Sequence, residues 1–345
     1  MSEHEHTHEP LTPEQEQALD LYNAAEELYG LGQYTQCIAV LDQALALLPD
    51  ESEVWRLRGN ALRGLKDYPP ALQAFKKANE CDPSNWRVVT DLAFTQLERG
   101  KLEIALKLYE TVLYEMKPCD ETARTDLLFS RAFVLQRLGR LEEAYAGYSE
   151  AYSQTNQDED NEFAGQIVVN RGNVAACLGR FADAAADYDH AKVLDPENAN
   201  SAWMALWAHM SEEGANLQIN DNLRAVQLRT IMDLEPERYI AKLCMGLLIL
   251  GEGHPEMAQT HFDAAGLQEP EEWDPPFWQG LALALQGESV QAKLAIDQAL
   301  TMDLPPMLII PLYWTQGNPA FFEGYAAPLL QSFGLYPGEW SIPTN

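Results

Sequence analysis

The chain is 345 residues long, with 53 acidic and 23 basic residues, a formal net charge of −30 and 46% apolar side chains. That apolar content is enough for an extended core and excludes a wholly disordered chain. A field this negative repels phosphates, which argues against nucleic acid and anionic membranes as partners.

Residues 1–13 read as an acidic, flexible tail, and residues 1–50 hold ten Asp/Glu without one Lys or Arg. In the opening "MSEHEHTHEP", His4, His6 and His8 alternate with Glu3, Glu5 and Glu9. Imidazoles in that array suit Ni²⁺, Zn²⁺ or Cu²⁺, so a metal-handling protein is the alternative of a different class. A solubilising tail is the plainer reading, because disordered ligands must be ordered on binding. The opening carries no charged-then-apolar leader. The five cysteines (37, 81, 119, 177, 244) lie far apart with no CxxC pair, which predicts reduced thiols in a cytoplasmic protein.

The next elements repeat. "WRLRGNALRGLKDYPPALQAFKKANECDP" aligns with "VVNRGNVAACLGRFADAAADYDHAKVLDP" and "KLCMGLLILGEGHPEMAQTHFDAAGLQEP". Gly59, Gly172 and Gly246 are each followed 12 residues later by Ala, then by Phe75, Tyr188 or Phe262, by Ala, and by Pro83, Pro196 or Pro270. Small residues let two antiparallel helices approach, the aromatic is expected to fill the space toward the next unit, and proline ends the second helix. This spacing resembles the tetratricopeptide repeat, a helix-turn-helix unit of about 34 residues. Extending the frame predicts units starting near 18, 52, 86, 125, 165, 199, 239 and 273, a repeat array over residues 14–305. The fold implied is all-α: a right-handed α-solenoid of about eight units with a C-terminal capping helix.

In the second unit, Arg56, Asn60 and Arg63 have i, i+4, i+7 spacing and share one helix stripe. The resemblance places them on the groove-lining side of a first helix, where guanidinium and amide suit a carboxylate or backbone amide of a bound peptide. Arg56 and Asn60 match the first two positions of the dicarboxylate clamp of some tetratricopeptide co-chaperones. Asp91, Asp126 and Ser130 stand where that clamp offers Asn and basic residues, so a chaperone tail is not expected. The same face continues through Arg87 and Phe94, then Phe129, Phe133 and Gln136, then Asn170 and Asn173. This predicts a groove with a small basic pocket, an aromatic middle and an amide ladder. For Phe129 and Phe133, packing between neighbouring units is an equal alternative. Arg58 recurs as Arg131 and Arg171, each before a small residue, which predicts pairing with acids such as Asp187 on second helices.

Residues 306–345 read as a cap segment. "LPPMLIIPLYW" (304–314) is too short to span a bilayer and carries three prolines, so no membrane insertion is expected. "NPAFFEGYAAPLLQSFGLY" (318–336) reads as a helix covering the last repeat; alternatively Trp314, Phe321, Phe322 and Trp340 form a partner-binding apolar patch. "APLLQSFGL" is similar to tails of tetratricopeptide proteins from photosynthetic bacteria, which implies an assembly role. There is no GxSxG, HExxH, P-loop or GxGxxG, and His190, His209, His254 and His261 lack partner cysteines at zinc spacing. The sequence therefore predicts no enzyme and no cofactor. It predicts a scaffold or adaptor, chaperone-like in its role, holding a protein or peptide through an acidic group in the groove, with basic partner segments steered to the outer surface.

Overall fold

Helix α1 (Pro13–Gly30) starts where the sequence supplies a complete N-terminal cap. Thr12 Oγ1 accepts the Gln15 backbone N–H at 3.2 Å, and Gln15 Oε1 accepts the Thr12 N–H at 2.9 Å. Two donors that the helix cannot satisfy internally are thereby paired. The computed structural model describes residues 12–117, 121–155, 161–213, 222–302 and 306–332. The tail histidines His4, His6 and His8, Cys119 and Trp340 lie outside them.

α1 pairs with α2 (Tyr34–Leu47), and α3 (Ser52–Gly64) with α4 (Tyr68–Cys81). α5 (Trp86–Glu98) pairs with α6 (Leu102–Glu110), which a π-helical turn, Thr111–Met116, prolongs. Then come α7 (Glu121–Arg137) with α8 (Leu141–Gln154), and α9 (Asn161–Cys177) with α10 (Phe181–Leu194). α11 (Ala199–Glu213) and α12 (Asn222–Leu234) precede α13 (Tyr239–Gly251) and α14 (Pro255–Gln268). The last pair is α15 (Asp274–Gln286) and α16 (Ser289–Thr301). No strand occurs among the described residues.

The helices of a pair meet where glycine removes a side chain. A Cβ at Gly59 in α3 would stand 2.6 Å from the Phe75 ring of α4, and one at Gly246 in α13 2.4 Å from the Phe262 ring of α14. Neither distance admits a carbon atom, so the aromatic rests on bare backbone. Phe75 also joins the cluster of Leu62, Ala71, Ala78 and Val88, so one ring serves its own pair and the first helix of the next.

The chain divides within α8 into two compact units, Met1–Gly147 and Tyr148–Asn345. In unit 1, first helices touch first helices (α1 with α3, α3 with α5), and in unit 2 α11 touches α13 and α13 touches α15. Each unit is an α-solenoid of consecutive pairs in which the first helices build one face.

Unit 2 covers that face with its own chain. Pro311 lacks an N–H, and the segment Pro306–Gly317 winds as a 3-10 helix. It packs against α9, α11 and α15, all first helices. Ile309, Ile310, Leu312, Tyr313 and Thr315 are buried there. Asn318 Nδ2 then donates to the Ala284 carbonyl at 3.0 Å, and the Tyr325 hydroxyl donates to Asp297 Oδ1 at 2.7 Å. The short helical turns Pro319–Phe321, Phe322–Ala326 and Ala327–Ser332 are thus fastened to the last pair. This goes against the alternative of an aromatic docking patch: Phe321 and Phe322 are buried and Trp314 half-buried, because their rings pack inward.

Candidate functional site

In unit 1 the stripe on α3 faces a matching stripe on α5. Arg56, Asn60 and Arg63 meet Asp91, Phe94 and Glu98, each set spanning two turns of its helix. Arg56 Nη1 lies 2.9 Å from Asp91 Oδ2, and its Nε lies 2.7 Å from Glu53 Oε2. Asn60 Nδ2 donates to the same Asp91 oxygen at 2.8 Å. Arg63 lies over the Phe94 ring, 4.7 Å from its centroid, with Nε 3.9 Å from Glu98 Oε2. Burial works against the Arg56 charge, but Asp91 and Glu53 outweigh it and hold the guanidinium above its ordinary pKa. On α1, the Tyr22 hydroxyl donates to Glu26 at 2.8 Å, and burial with that carboxylate raises its pKa.

In the structure the expected positive ground is paired within the protein itself. Asp91 places a carboxylate against both Arg56 and Asn60, the position a ligand's carboxylate would take. Two guanidiniums face three carboxylates, and two of those acids, Glu53 and Glu98, are the outer groups. Glu53 and Glu98 are 44% and 35% exposed, whereas Arg56 and Arg63 are 21% and 15% exposed.

Of the other groove candidates, Arg87 is exposed and stacks on its neighbour Trp86 at 4.6 Å. Phe94 is 41% exposed. Phe129, Phe133 and Gln136 on α7 are half-buried, and the Arg137 guanidinium lies 6.0 Å from the Phe133 ring. The recurring arginines do pair with acids on second helices. Arg171 bridges to Asp187 of its own pair, whereas Arg58 reaches Asp42 on α2 and Arg131 reaches Glu110 on α6, both in the preceding pair.

Asn170 and Asn173 belong to unit 2, and they do not form a ladder. Asn170 Nδ2 donates to the Gln166 carbonyl of its own helix at 2.8 Å, while Asn173 Oδ1 accepts the Tyr188 hydroxyl at 2.7 Å. Asn170 lines a cleft of about 590 Å³ between α9, α10 and α11, with Glu162, Gln166, Val169, Ser201 and Met204. The sequence offered no signal for this cleft, since α11 contributes residues 30 or more positions away. Among the described residues no group of three or more His, Cys, Asp or Glu could hold a metal ion. His209 contacts Asp189 and His190 contacts Tyr152, two separate pairings. No helix among the described residues is long and apolar enough to cross a membrane.

The family model for the tetratricopeptide repeat matches residues 22–85. Protein FlbA of Caulobacter vibrioides is 26% identical over 136 residues, 39% of this chain and 22% of that protein. Tetratricopeptide repeat protein 33 of Homo sapiens is 27% identical over 106 residues, 30% of this chain and 40% of that protein. The chain thus spans less than half the length of these curated relatives. The solved structure of pilF from Pseudomonas aeruginosa superposes with a TM-score of 0.52 at 14% identity, covering 66% of this chain and 96% of that one. The C-terminal part of a TPR repeat-containing protein from Cytophaga hutchinsonii gives 0.55 at 12% identity, covering 72% and 95%. The helix pairs, their glycine–aromatic contacts and this family match together support a tetratricopeptide repeat protein.

Proposed function

We propose that this chain is a non-catalytic interaction scaffold that holds a segment of another protein on the first-helix face of unit 1. Tetratricopeptide repeat proteins in general are interaction scaffolds. One observation carries the choice of face. Unit 2 buries Ile309 to Tyr313 of its own chain against α9, α11 and α15, so a first-helix face of this molecule accommodates a short apolar segment. On the corresponding face of unit 1, Phe94 leaves 41% of its surface exposed beside Arg63. An exposed aromatic flanked by polar groups is the usual anchor for a docking peptide. Holding one protein while presenting its other surfaces is the behaviour of an assembly factor. Cys37, Cys81, Cys177 and Cys244 are free thiols, which suits a reducing cytoplasm.

A photo-crosslinking residue at position 94 tests this in native extract, against the same residue at Val290, which is 73% exposed in unit 2. The expected result is a discrete adduct from position 94 that Arg63→Ala diminishes. Equal labelling from both positions, or none from position 94, rejects the assigned face.

A further inference from the structure

We infer that the unit 1 face selects a cationic side chain, a lysine or arginine of the partner segment, over an acidic one. The inference rests on the docking proposed for that face. Three observations point the same way. First, Asp91 already sits against Arg56 and Asn60, at 2.9 and 2.8 Å, so an acidic ligand would have to expel a carboxylate that the fold itself supplies. Second, the more exposed rim is anionic: Glu53 and Glu98 stand outside the arginines they contact. Like charges brought against that rim are repelled, and opposite charges are drawn to it.

Third, Asn60 is only 6% exposed, and its amide is directed into this cluster. A carboxylate only accepts, so the contact with Asp91 fixes which end of the amide is Nδ2. The opposite end, Oδ1, is buried with no donor. A buried acceptor without a donor is costly, and an added carboxylate, which only accepts, does not relieve it. Phe94 adds a ring whose face attracts cations, as its contact with the Arg63 guanidinium shows. A guanidinium or ammonium carried between apolar residues meets the carboxylate rim and the ring together.

The test uses the full chain and two fluorescein-labelled synthetic peptides, one alternating leucine with arginine and one alternating leucine with glutamate. Anisotropy at low ionic strength should show the arginine peptide binding. Glu53→Gln combined with Glu98→Gln should weaken it about tenfold or more, with a salt-dependent loss in the wild type. Glu256→Gln, an exposed change on α14, should leave it unchanged and so controls for the overall negative charge. Far-UV circular dichroism confirms that each variant is folded. If the arginine peptide ignores the double change, the charge selection is wrong. If the glutamate peptide binds better and loses affinity in Phe94→Ala, the selection is wrong while the docking face stands. If neither peptide binds, both readings fall.

Discussion

The two units build the same repeat and finish it differently. In both, an aromatic of the second helix lies on a glycine of the first: Phe75 on Gly59 in unit 1, Phe262 on Gly246 in unit 2. In unit 1 the first helices α3 and α5 then meet through charge, with Arg56 and Asn60 held by Asp91. In unit 2 they meet through rings. Trp203 and Trp207 of α11 contact Trp278 of α15, which in turn contacts Trp314 of the 3-10 segment. The contrast shows that repeat packing constrains the glycine–aromatic seam and leaves the first-helix face free to diverge. One face keeps polar groups at the surface. The other is consumed as core.

The largest expected effect tests that consumption. Trp278 is fully buried, with Trp207 at 4.8 Å, Phe277 at 5.3 Å and Trp314 at 6.0 Å between ring centroids. Trp278→Ala should destabilise unit 2 by about 3–5 kcal/mol, the usual cost of truncating a buried aromatic. Thermal unfolding followed by tryptophan emission reports mainly on unit 2, because only Trp55 and Trp86 lie in unit 1. Limited chymotrypsin digestion should then cut within 306–317. Continued protection of that segment would show that Trp278 does not anchor it.

A smaller effect separates the units by pH. Asp274, at the start of α15, is 2% exposed and accepts the Trp203 indole N–H at 3.2 Å. Burial, reinforced by Glu272, pushes its carboxyl up to about 7. A folded-state pKa above the unfolded one means the stabilising contribution is complete below the unfolded carboxyl pKa and is lost as pH rises through 7. Between pH 5 and pH 8, unit 2 should therefore lose about 2–3 kcal/mol that Asp274→Asn does not lose. Urea titrations of both proteins at the two pH values measure the difference. Parallel losses in wild type and variant would remove Asp274 as the source.

The helix pairs were readable because their signals are local. Gly59, Ala71, Phe75, Ala78 and Pro83 recur at fixed spacing, and each has one steric reason to be where it is. The stripe of Arg56, Asn60 and Arg63 was equally readable as a stripe. Its electrostatic sign was not. Asp91 lies 35 residues from Arg56, and only the approach of α5 to α3 shows that its carboxylate fills the pocket. The segment 306–317 was legible as apolar but not as a cover for α9, α11 and α15. Its prolines erase the 3.6-residue period from which a helix face is read.

The smallest effect concerns a departure within unit 1 from a feature both units share. The turn between the helices of a pair places one residue in the left-handed region: Gly32, Gly100 and Gly139 in unit 1, and Gly179, Gly253 and Gly287 in unit 2. The second pair instead uses Lys66, at φ 58°. A residue with a Cβ is disfavoured there by roughly 1–2 kcal/mol, while glycine adopts the conformation without that clash but gives up more unfolded-state freedom. The two effects partly offset, so Lys66→Gly should stabilise unit 1 by about 0.5–1 kcal/mol. Because unit 1 holds only Trp55 and Trp86, its unfolding is best followed by far-UV circular dichroism together with hydrogen exchange of α3 and α4 amides. Slower exchange confined to those helices would tie the gain to the turn. Faster exchange would mean that the lysine side chain contributes more to the folded turn than its backbone strain costs.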